Sequence, residues 1–200
     1  MKLLVIGGTH FVGRHAVEQA VERGHDVTVF HRGGSEPGGG FPDIEHVHGD
    51  RDGGLSTLEG RAWDAALDTC GYVPRVVRQS VRLPGLTAGQ YTFVSSLSVY
   101  PDDVEPGATE GTPGHGPPFP DTEEITDDSY GPLKVACELE VQAAFDGPSS
   151  CVLASSSAPT IRSIGSRIGS GGPRWAVSCS CRSRRTFACS SSTCGTWRPS

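Results

Sequence analysis

Three residues have the types and spacing that acid–base chemistry at a hydroxyl group needs. Tyr130 and Lys134 are four positions apart at the start of a segment with helical spacing, so both side chains lie on one face of the predicted helix. A phenol has a pKa of about 10, so its use as a base near pH 7 needs a decrease of about three units, which a neighbouring ammonium favours. Ser96, at the end of a predicted strand, adds a hydroxyl. A Tyr-x3-Lys pair alone also fits a plain helix surface.

A glycine-rich turn lies near the N-terminus, between a predicted strand and a predicted helix. Small residues let the backbone approach a pyrophosphate, and the helix N-terminus presents free N–H groups and partial positive charge to it. This context predicts a dinucleotide site, although a simple tight turn would also fit. The candidate cofactor-binding residues in the turn are Gly7, Gly8, Thr9, His10, Phe11, Val12 and Gly13.

Two strand ends bear on which dinucleotide binds. An acid after the second strand would bind a ribose 2'-hydroxyl, whereas a cation suits a 2'-phosphate. The chain has His31-Arg32 there, so Arg32 favours NADP, with NAD as the alternative; a solvated surface arginine is the other interpretation. Asp50 follows the third strand and could accept a hydrogen bond from the adenine amino group, but aspartate is also common in strand-end turns.

The elements that must position these residues alternate short apolar runs with helical patterns, which is typical of an α/β, doubly wound parallel sheet of Rossmann-like type. Residues 101–129 carry nine acids and six prolines, which predicts an irregular loop where a substrate site is usually built. Strands are predicted at Lys2–Ile6, Asp26–Phe30, Ile44–His48, Ala65–Thr69 and Tyr91–Val94, and helices from Gly13 to Gly24, from Pro74 to Pro84 and from Val135 to Phe145.

Four segments together resemble the short-chain dehydrogenase/reductase superfamily, specifically its extended or atypical NAD-dependent epimerase/dehydratase branch. They are Val-Ile-Gly-Gly-Thr-His-Phe-Val-Gly at 5–13, Gly-Asp at 49–50, Phe-Val-Ser-Ser-Leu-Ser-Val-Tyr at 93–100 and Tyr-Gly-Pro-Leu-Lys at 130–134. They occur in the family's order, and the resemblance covers residues 1–153.

The resemblance implies a role for each matching residue. Ser96 corresponds to the catalytic hydroxyl, Tyr130 to the acid/base, and Lys134 to the residue that binds the nicotinamide ribose and lowers the pKa of the tyrosine. Thr69 and Cys70 fall where the family's fourth strand meets the cofactor ribose. The implied function is an NAD(P)-dependent epimerase/dehydratase or reductase that acts on a hydroxyl or carbonyl substrate, such as a nucleotide sugar.

One position departs from the family pattern. His10 replaces the middle glycine of the usual turn, so we expect its side chain to crowd the pyrophosphate. A similar turn occurs in atypical members that resemble chloroplast stem-loop RNA-binding proteins. The alternative functions are therefore a non-catalytic NADP-sensing or RNA-binding relative of the same fold, or an inactive truncated product.

The composition divides the chain in two. All 23 acids lie at or before Asp146, whereas the following residues hold seven arginines, 15 serines and five of the seven cysteines, so the formal charges are -13 and +7. We predict an NAD(P)-binding domain at 1–153 and an irregular Ser/Arg/Cys-rich tail at 154–200, with the sixth strand interrupted after Leu153 and the C-terminal substrate domain missing or garbled. Codons for Ser155 onward, read one base earlier, can encode a family-like continuation, so we hypothesise a frameshift. The other interpretation is a disordered basic tail, with Arg182, Arg184 and Arg185 as a weak nucleic-acid patch.

The remaining expectations concern location and partners. The apolar run at the N-terminus is too short for a signal peptide or a membrane span, so we expect a cytoplasmic protein with reduced cysteines. Cys179, Cys181, Cys189 and Cys194 lack the spacing of a zinc site, and no metal is expected. We expect a small-molecule substrate and neither a membrane nor a nucleic-acid partner.

Overall fold

The fold is built on one twisted sheet. The computed structural model describes residues 1–34, 41–86, 90–104, 112–116 and 122–145, and the backbone of 150–155 and 178–180. The seven strands are β1 Lys2–Ile6, β2 Asp26–His31, β3 Glu45–His48, β4 Ala65–Asp68, β5 Gln90–Ser96, β6 Ser150–Ser155 and β7 Ser178–Ser180.

The strand order is β3-β2-β1-β4-β5-β6-β7, with all pairs parallel except the β6–β7 pair at the edge. The chain therefore begins in the middle of the sheet, builds outward through β2 and β3, and crosses back through β4 and β5. This is the predicted doubly wound α/β fold. The order reverses between β1 and β4, and in such sheets ligands bind outside the carboxyl ends of the strands at that point.

Helices cover both faces of the sheet. They are α1 Phe11–Glu22, α2 Pro74–Val81 and α3 Asp127–Ala144, with single 3-10 turns at Leu55–Leu58 and Leu97–Val99. One apolar cluster lies on the α1 face and contains Val5, Val17, Ala20, Val27 and Val29. The larger cluster on the other face includes Leu4, Ile6, Val77, Phe93 and Val141.

The helix that carries Tyr130 begins at Asp127, three residues before Tyr130, where the motif predicts a helix start, and eight before Val135, where apolar periodicity resumes. Thr126 caps it: the Thr126 hydroxyl accepts a hydrogen bond from the Ser129 N–H at 3.1 Å, and the Thr126 N–H donates to the Ser129 hydroxyl at 2.8 Å. Asp127 and Asp128 fill the first turn, where negative charge is favourable. The last three residues of the predicted irregular loop, 127–129, are therefore helical, because a capping signal overrides their lack of apolar periodicity.

The sixth strand continues past the predicted interruption. β6 runs to Ser155, which pairs with Ser96 of β5, and Ala154 pairs with Ser178 of β7. The small residues after Leu153 do not prevent backbone pairing. The division at 153 stays a prediction, and residues 156–177 and 181–200, with Cys189, Cys194 and the tail arginines, lie outside the described residues. In the part of the chain that the structure describes, no helix has both the length and the apolar character for crossing a bilayer.

Candidate functional site

The three glycines of the turn after β1 are packed so closely that no side chain fits at their positions. Gly7 and Gly8 have φ of +95° and +77°, in the region that favours glycine, and a Cβ at Gly7 would collide with the Thr69 hydroxyl. A Cβ at Gly13 would lie 2.9 Å from the Gly8 Cα. The Thr69 hydroxyl accepts a hydrogen bond from the Gly8 N–H at 3.2 Å and donates one to the Ile6 carbonyl at 3.0 Å. The turn is thus held against the end of β4, with the N-terminus of α1 facing outward.

The non-glycine positions of the turn behave differently from one another. His10 has φ −132° and ψ 152°, an extended conformation that any residue adopts, and its Nδ1 is 2.9 Å from the Thr9 hydroxyl oxygen. The backbone therefore does not require glycine at this position, and the imidazole lies at the edge of the open space. Phe11 has φ +40° and is 47% exposed, so the helix begins on a strained residue.

Two adjoining clefts open at the carboxyl ends of the strands. The first, of about 600 Å³, has Arg32 and Asp50 in its wall and is named here the β2–β3 cleft. The second, of about 360 Å³, contains Tyr130 and Lys134 and is named the β4–α3 cleft. Residues that line both are Gly7, Thr9, His10, Cys70 and Tyr72. The clefts therefore adjoin at the glycine turn and are together named the groove; Phe11, Val12 and Thr69 line its second part.

Lys134 is held below the β4–α3 cleft by backbone carbonyls. It is 2% exposed, and its Nζ donates to the Gly71 carbonyl at 2.9 Å and to the Val94 carbonyl at 2.8 Å. Nζ also lies 4.2 Å from the centre of the Phe93 ring. Burial lowers the pKa of this ammonium from its ordinary value. Because an ammonium has three N–H groups, the two carbonyls leave one for a group in the cleft.

Two phenol rings line the same cleft as this lysine. The Tyr130 and Tyr72 ring centres are 6.4 Å apart, and the Lys134 Nζ is 5.5 Å from the centre of Tyr72. Burial raises the pKa of Tyr72. The structure therefore brings the predicted Tyr130 and Lys134 together at the glycine turn, and adds a second tyrosine that the sequence did not single out.

Ser96 is placed differently from the other predicted residues. It is 2% exposed; its hydroxyl donates to the Ser98 hydroxyl at 3.1 Å and accepts from the Ser98 N–H at 3.2 Å. Among the described residues, Ser95 lines the β4–α3 cleft and Ser96 does not. The exposed hydroxyl of the pair belongs to Ser98. The catalytic role of Ser96 stays a prediction.

Solved structures with a related architecture include sugar-nucleotide enzymes. The chain aligns with UDP-N-acetylglucosamine 4-epimerase from Bacillus cereus with a TM-score of 0.54 and 19% identity, over 76% of this chain and 53% of that one. It aligns with MoeE5 in complex with UDP-glucuronic acid and NAD with a TM-score of 0.55 and 18% identity, over 76% and 52%. The chain has the NAD-dependent epimerase/dehydratase fold.

A relative among curated proteins has the name of a binding protein and not of an enzyme. The chloroplast stem-loop binding protein of 41 kDa b from Arabidopsis thaliana is 34% identical over 126 residues, which cover 54% of this chain and 33% of that protein. No protein-family model matches the sequence. The chain thus spans about a third of the curated relative and about half of the solved structures that share the epimerase/dehydratase fold.

An ion pair that sequence reasoning missed lies beneath the β2–β3 cleft of this epimerase/dehydratase fold. Arg51 donates two hydrogen bonds to Asp68, at 2.8 and 2.7 Å, and one to the Ser80 hydroxyl at 2.9 Å. The Tyr91 hydroxyl donates to Asp68 at 2.7 Å. Burial alone would raise the pKa of the fully buried Asp68, but Arg51 and these hydrogen bonds hold it below its ordinary value. The sequence signal for this ion pair was Asp68, an acid at the end of the otherwise apolar strand β4.

Proposed function

We propose that the chain is the NAD(P)-binding part of an epimerase/dehydratase-like oxidoreductase that acts on a hydroxyl or carbonyl group, such as that of a nucleotide sugar. The observation that carries this proposal is the pair of adjoining clefts, with Arg32 and Asp50 in one, Tyr130 and Lys134 in the other, and the glycine turn between them. MoeE5 was solved with NAD and UDP-glucuronic acid, which supports a nicotinamide cofactor and a nucleotide-sugar substrate for this chain.

The residues present fit a dinucleotide. The positive φ values of Gly7 and Gly8 and the missing Cβ atoms leave backbone exposed where a pyrophosphate would lie, at the start of α1. Both clefts fall within the range of small-molecule sites, about 300 to 1,000 Å³. In this proposal Thr69 and Cys70 lie beside the ribose, as the family resemblance implies.

The chemistry that this chain would supply is proton transfer. In the proposal Tyr130 takes a proton from, or returns it to, the reacting oxygen, and the remaining N–H of Lys134 binds the ribose while its charge favours the phenolate. Ser96 is proposed to hold the reacting oxygen, as the family resemblance implies; its hydroxyl is bonded to that of Ser98. A bound nicotinamide would supply the hydride chemistry.

Arg32 is proposed to prefer NADP. It lines the β2–β3 cleft beside Gly33 and Gly34, and a 2'-phosphate there would gain a charge-assisted hydrogen bond. The NAD bound to MoeE5 supports the alternative, so both nucleotides belong in the test.

The test has two parts. Calorimetry should show NAD+ or NADP+ binding to the full chain, and Tyr130→Phe should leave that binding within about twofold while it lowers turnover of a hydroxyl substrate about 10²- to 10⁴-fold. Tyr100→Phe is the matched control, since Tyr100 lies outside both clefts in the described structure. Turnover that Tyr130→Phe leaves intact would remove Tyr130 from the mechanism.

The second candidate function is that this chain binds NADP or RNA without catalysis. The likeness to the chloroplast stem-loop binding protein supports it. Nucleotide binding with no turnover across a panel of hydroxyl substrates, together with salt-sensitive binding of a stem-loop RNA, would favour it. Failure of the purified chain to unfold cooperatively, with or without NADP+, would instead favour an inactive product.

A further inference from the structure

Three histidines gather on one face of the sheet beside the β2–β3 cleft. In the parallel β2–β3 pair, Val29 is opposite His46 and His31 is opposite His48, so all three imidazoles project to the same side. His31 is 8% exposed, and its ring meets those of His46 and His48 edge to face, with centres 5.1 and 4.7 Å apart. None of these contacts belongs to the catalytic proposal.

The hydrogen bonds in this cluster have a fixed direction. The Gly33 N–H can only donate, and its partner at 3.2 Å is the His31 Nδ1, which must therefore be an acceptor. A neutral His31 then carries its proton on Nε2, which lies 2.8 Å from the His46 Nδ1. His46 in turn carries its proton on Nε2, 3.0 Å from the Phe41 carbonyl, which can only accept. A directed chain runs from the Gly33 amide through two neutral rings to Phe41, and we call it the histidine relay.

The relay fixes the turn that forms the wall of the β2–β3 cleft. His31, Arg32, Gly33 and Gly34 all line that cleft. Gly33 has φ +78°, and a Cβ there would lie 3.4 Å from the His48 ring, so the backbone bends tightly around the cluster. The His31 carbonyl also accepts from the Gly49 N–H at 3.0 Å. The position of Arg32 therefore depends on the ring next to it in sequence.

We propose that His31 and His46 are positioning residues that hold the Arg32–Gly34 turn in its nucleotide-binding conformation only while both rings are neutral. This inference rests on the proposed function of the groove. Protonation of His31 would set an N–H of its Nδ1 against the Gly33 N–H, and protonation of His46 would set an N–H against that of His31. Histidine changes charge between pH 5 and 8, so nucleotide affinity falls as the pH falls through that range.

The charged groups around the relay come from several elements. Arg32 and Asp50 lie on the cleft side, and Glu45 at the start of β3 is bonded to Arg61 and Thr28. From α1, Arg14 lies 5.2 Å above the Phe41 ring and pairs with Glu18 at 3.0 Å. Hydrogen bonds from Arg61 to Glu45 and from His15 to Glu18 hold the pKa of each carboxyl below its ordinary value, so a change between pH 8 and pH 5.5 reports on imidazoles.

The experiment measures NAD+ affinity by calorimetry at pH 8 and pH 5.5. NAD+ is the probe because the 2'-phosphate of NADP+ itself titrates at about pH 6. The full chain should lose about three- to tenfold in affinity at pH 5.5, the range that one lost hydrogen bond gives. His46→Gln should bind like the parent at pH 8 and lose less affinity than the parent at pH 5.5, because the amide has an acceptor and a donor but does not titrate, which leaves only His31 to take up a proton.

Controls separate the relay from general effects. His46→Leu cannot continue the chain and should already bind NAD+ more weakly than the parent at pH 8. His25→Gln makes the same substitution between α1 and β2, away from the cleft, and should keep the parent's pH dependence. Nitrogen chemical shifts at pH 8 should place the proton of both relay rings on Nε2.

The outcomes distinguish the two proposals. No NAD+ binding by the parent at pH 8 overturns the proposed function and, with it, the role given to the relay. Binding that is independent of pH, an unchanged pH dependence in His46→Gln, or an Nδ1 proton on either ring overturns the relay and leaves the groove's function standing.

Discussion

Each end of the groove has a cation beneath it, the largely buried Arg51 at one end and the buried Lys134 at the other, and their partners differ. Arg51, below the β2–β3 cleft, forms a bidentate ion pair with the fully buried Asp68. Lys134, below the β4–α3 cleft, is bonded to the carbonyls of Gly71 and Val94 and faces an aromatic ring. One charge is neutralised inside the protein, while the other is only solvated by dipoles.

We expect this difference to separate a cation that stabilises the fold from one that acts in the proposed reaction. The charge of a guanidinium that is paired with a carboxylate attracts a ligand only weakly. Removal of the guanidinium leaves the carboxylate buried without a partner charge. An ammonium held by neutral carbonyls keeps its charge for whatever occupies the cleft above it, here the phenol of Tyr130 and the proposed ribose. We expect mutations of Arg51 to act on stability and those of Lys134 to act mainly on chemistry.

The largest effect on folding is expected from Arg51→Leu, which leaves Asp68 buried and unpaired. The free energy of unfolding should fall by about 3–5 kcal/mol, the usual cost of breaking a buried ion pair. Urea denaturation measures it. The double variant Arg51→Met with Asp68→Leu should recover most of the loss, because replacing both partners by apolar groups is often nearly neutral. A double variant as unstable as the single one would refute the structural role.

Lys134→Met should destabilise less, because it leaves no charge without a partner. The orphaned carbonyls of Gly71 and Val94 should reduce the free energy of unfolding by about 1–3 kcal/mol. In the proposed reaction, turnover should fall at least about 100-fold while nucleotide affinity changes less. If Lys134→Met lowered stability as much as Arg51→Leu and left turnover intact, the contrast between the two cations would be wrong.

A smaller effect is expected at the open end of the groove. Arg32→Ala should weaken NADP+ binding about tenfold, or about 1.4 kcal/mol, and NAD+ binding less. Calorimetry with both nucleotides gives the ratio. Arg23→Ala, an exposed arginine at the end of α1, is the control and should leave both affinities unchanged. Equal losses for the two nucleotides would assign Arg32 no role in choosing between them.

The smallest effect near neutrality is the contribution of Asp68 to the pH dependence of stability. Its pKa is held below the ordinary value of about 3.9, so its contribution is fully present above that pH and is lost as the pH falls through the lower folded-state pKa. Between pH 8 and pH 5, this residue should not alter the free energy of unfolding. Acid titration of Asp68→Asn beside the parent checks this, and a shallower loss at low pH is expected in the variant.

The sequence predicted those elements well whose residues within one short segment determine them. The five strands from β1 to β5 and the glycine turn followed from apolar runs and turn residues, and the observed bounds differ by at most two residues. The start of α3 was missed by periodicity, because Thr126 and Ser129 begin the helix through polar capping. The tail hypothesis of a frameshift remains to be tested on the coding DNA.

The candidate site was only partly predictable. Tyr130, Lys134 and the glycine turn share one groove, as their motifs indicated. Tyr72 and the Arg51–Asp68 pair were missed because neither forms a motif, and Ser96 was expected in the groove but is buried against Ser98.

The sequence by itself determined the order of strands and helices, the small residues of the turn and the tyrosine–lysine spacing, because these depend on neighbours within a few positions. Only the tertiary structure decided which cation is neutralised: Asp68 lies 17 residues from Arg51, and Gly71 lies 63 from Lys134. It also decided the direction of the histidine relay, since hydrogen bonds across adjacent strands fix which ring nitrogen carries the proton. Such partners are set by sheet register and helix packing, which no short stretch of sequence contains.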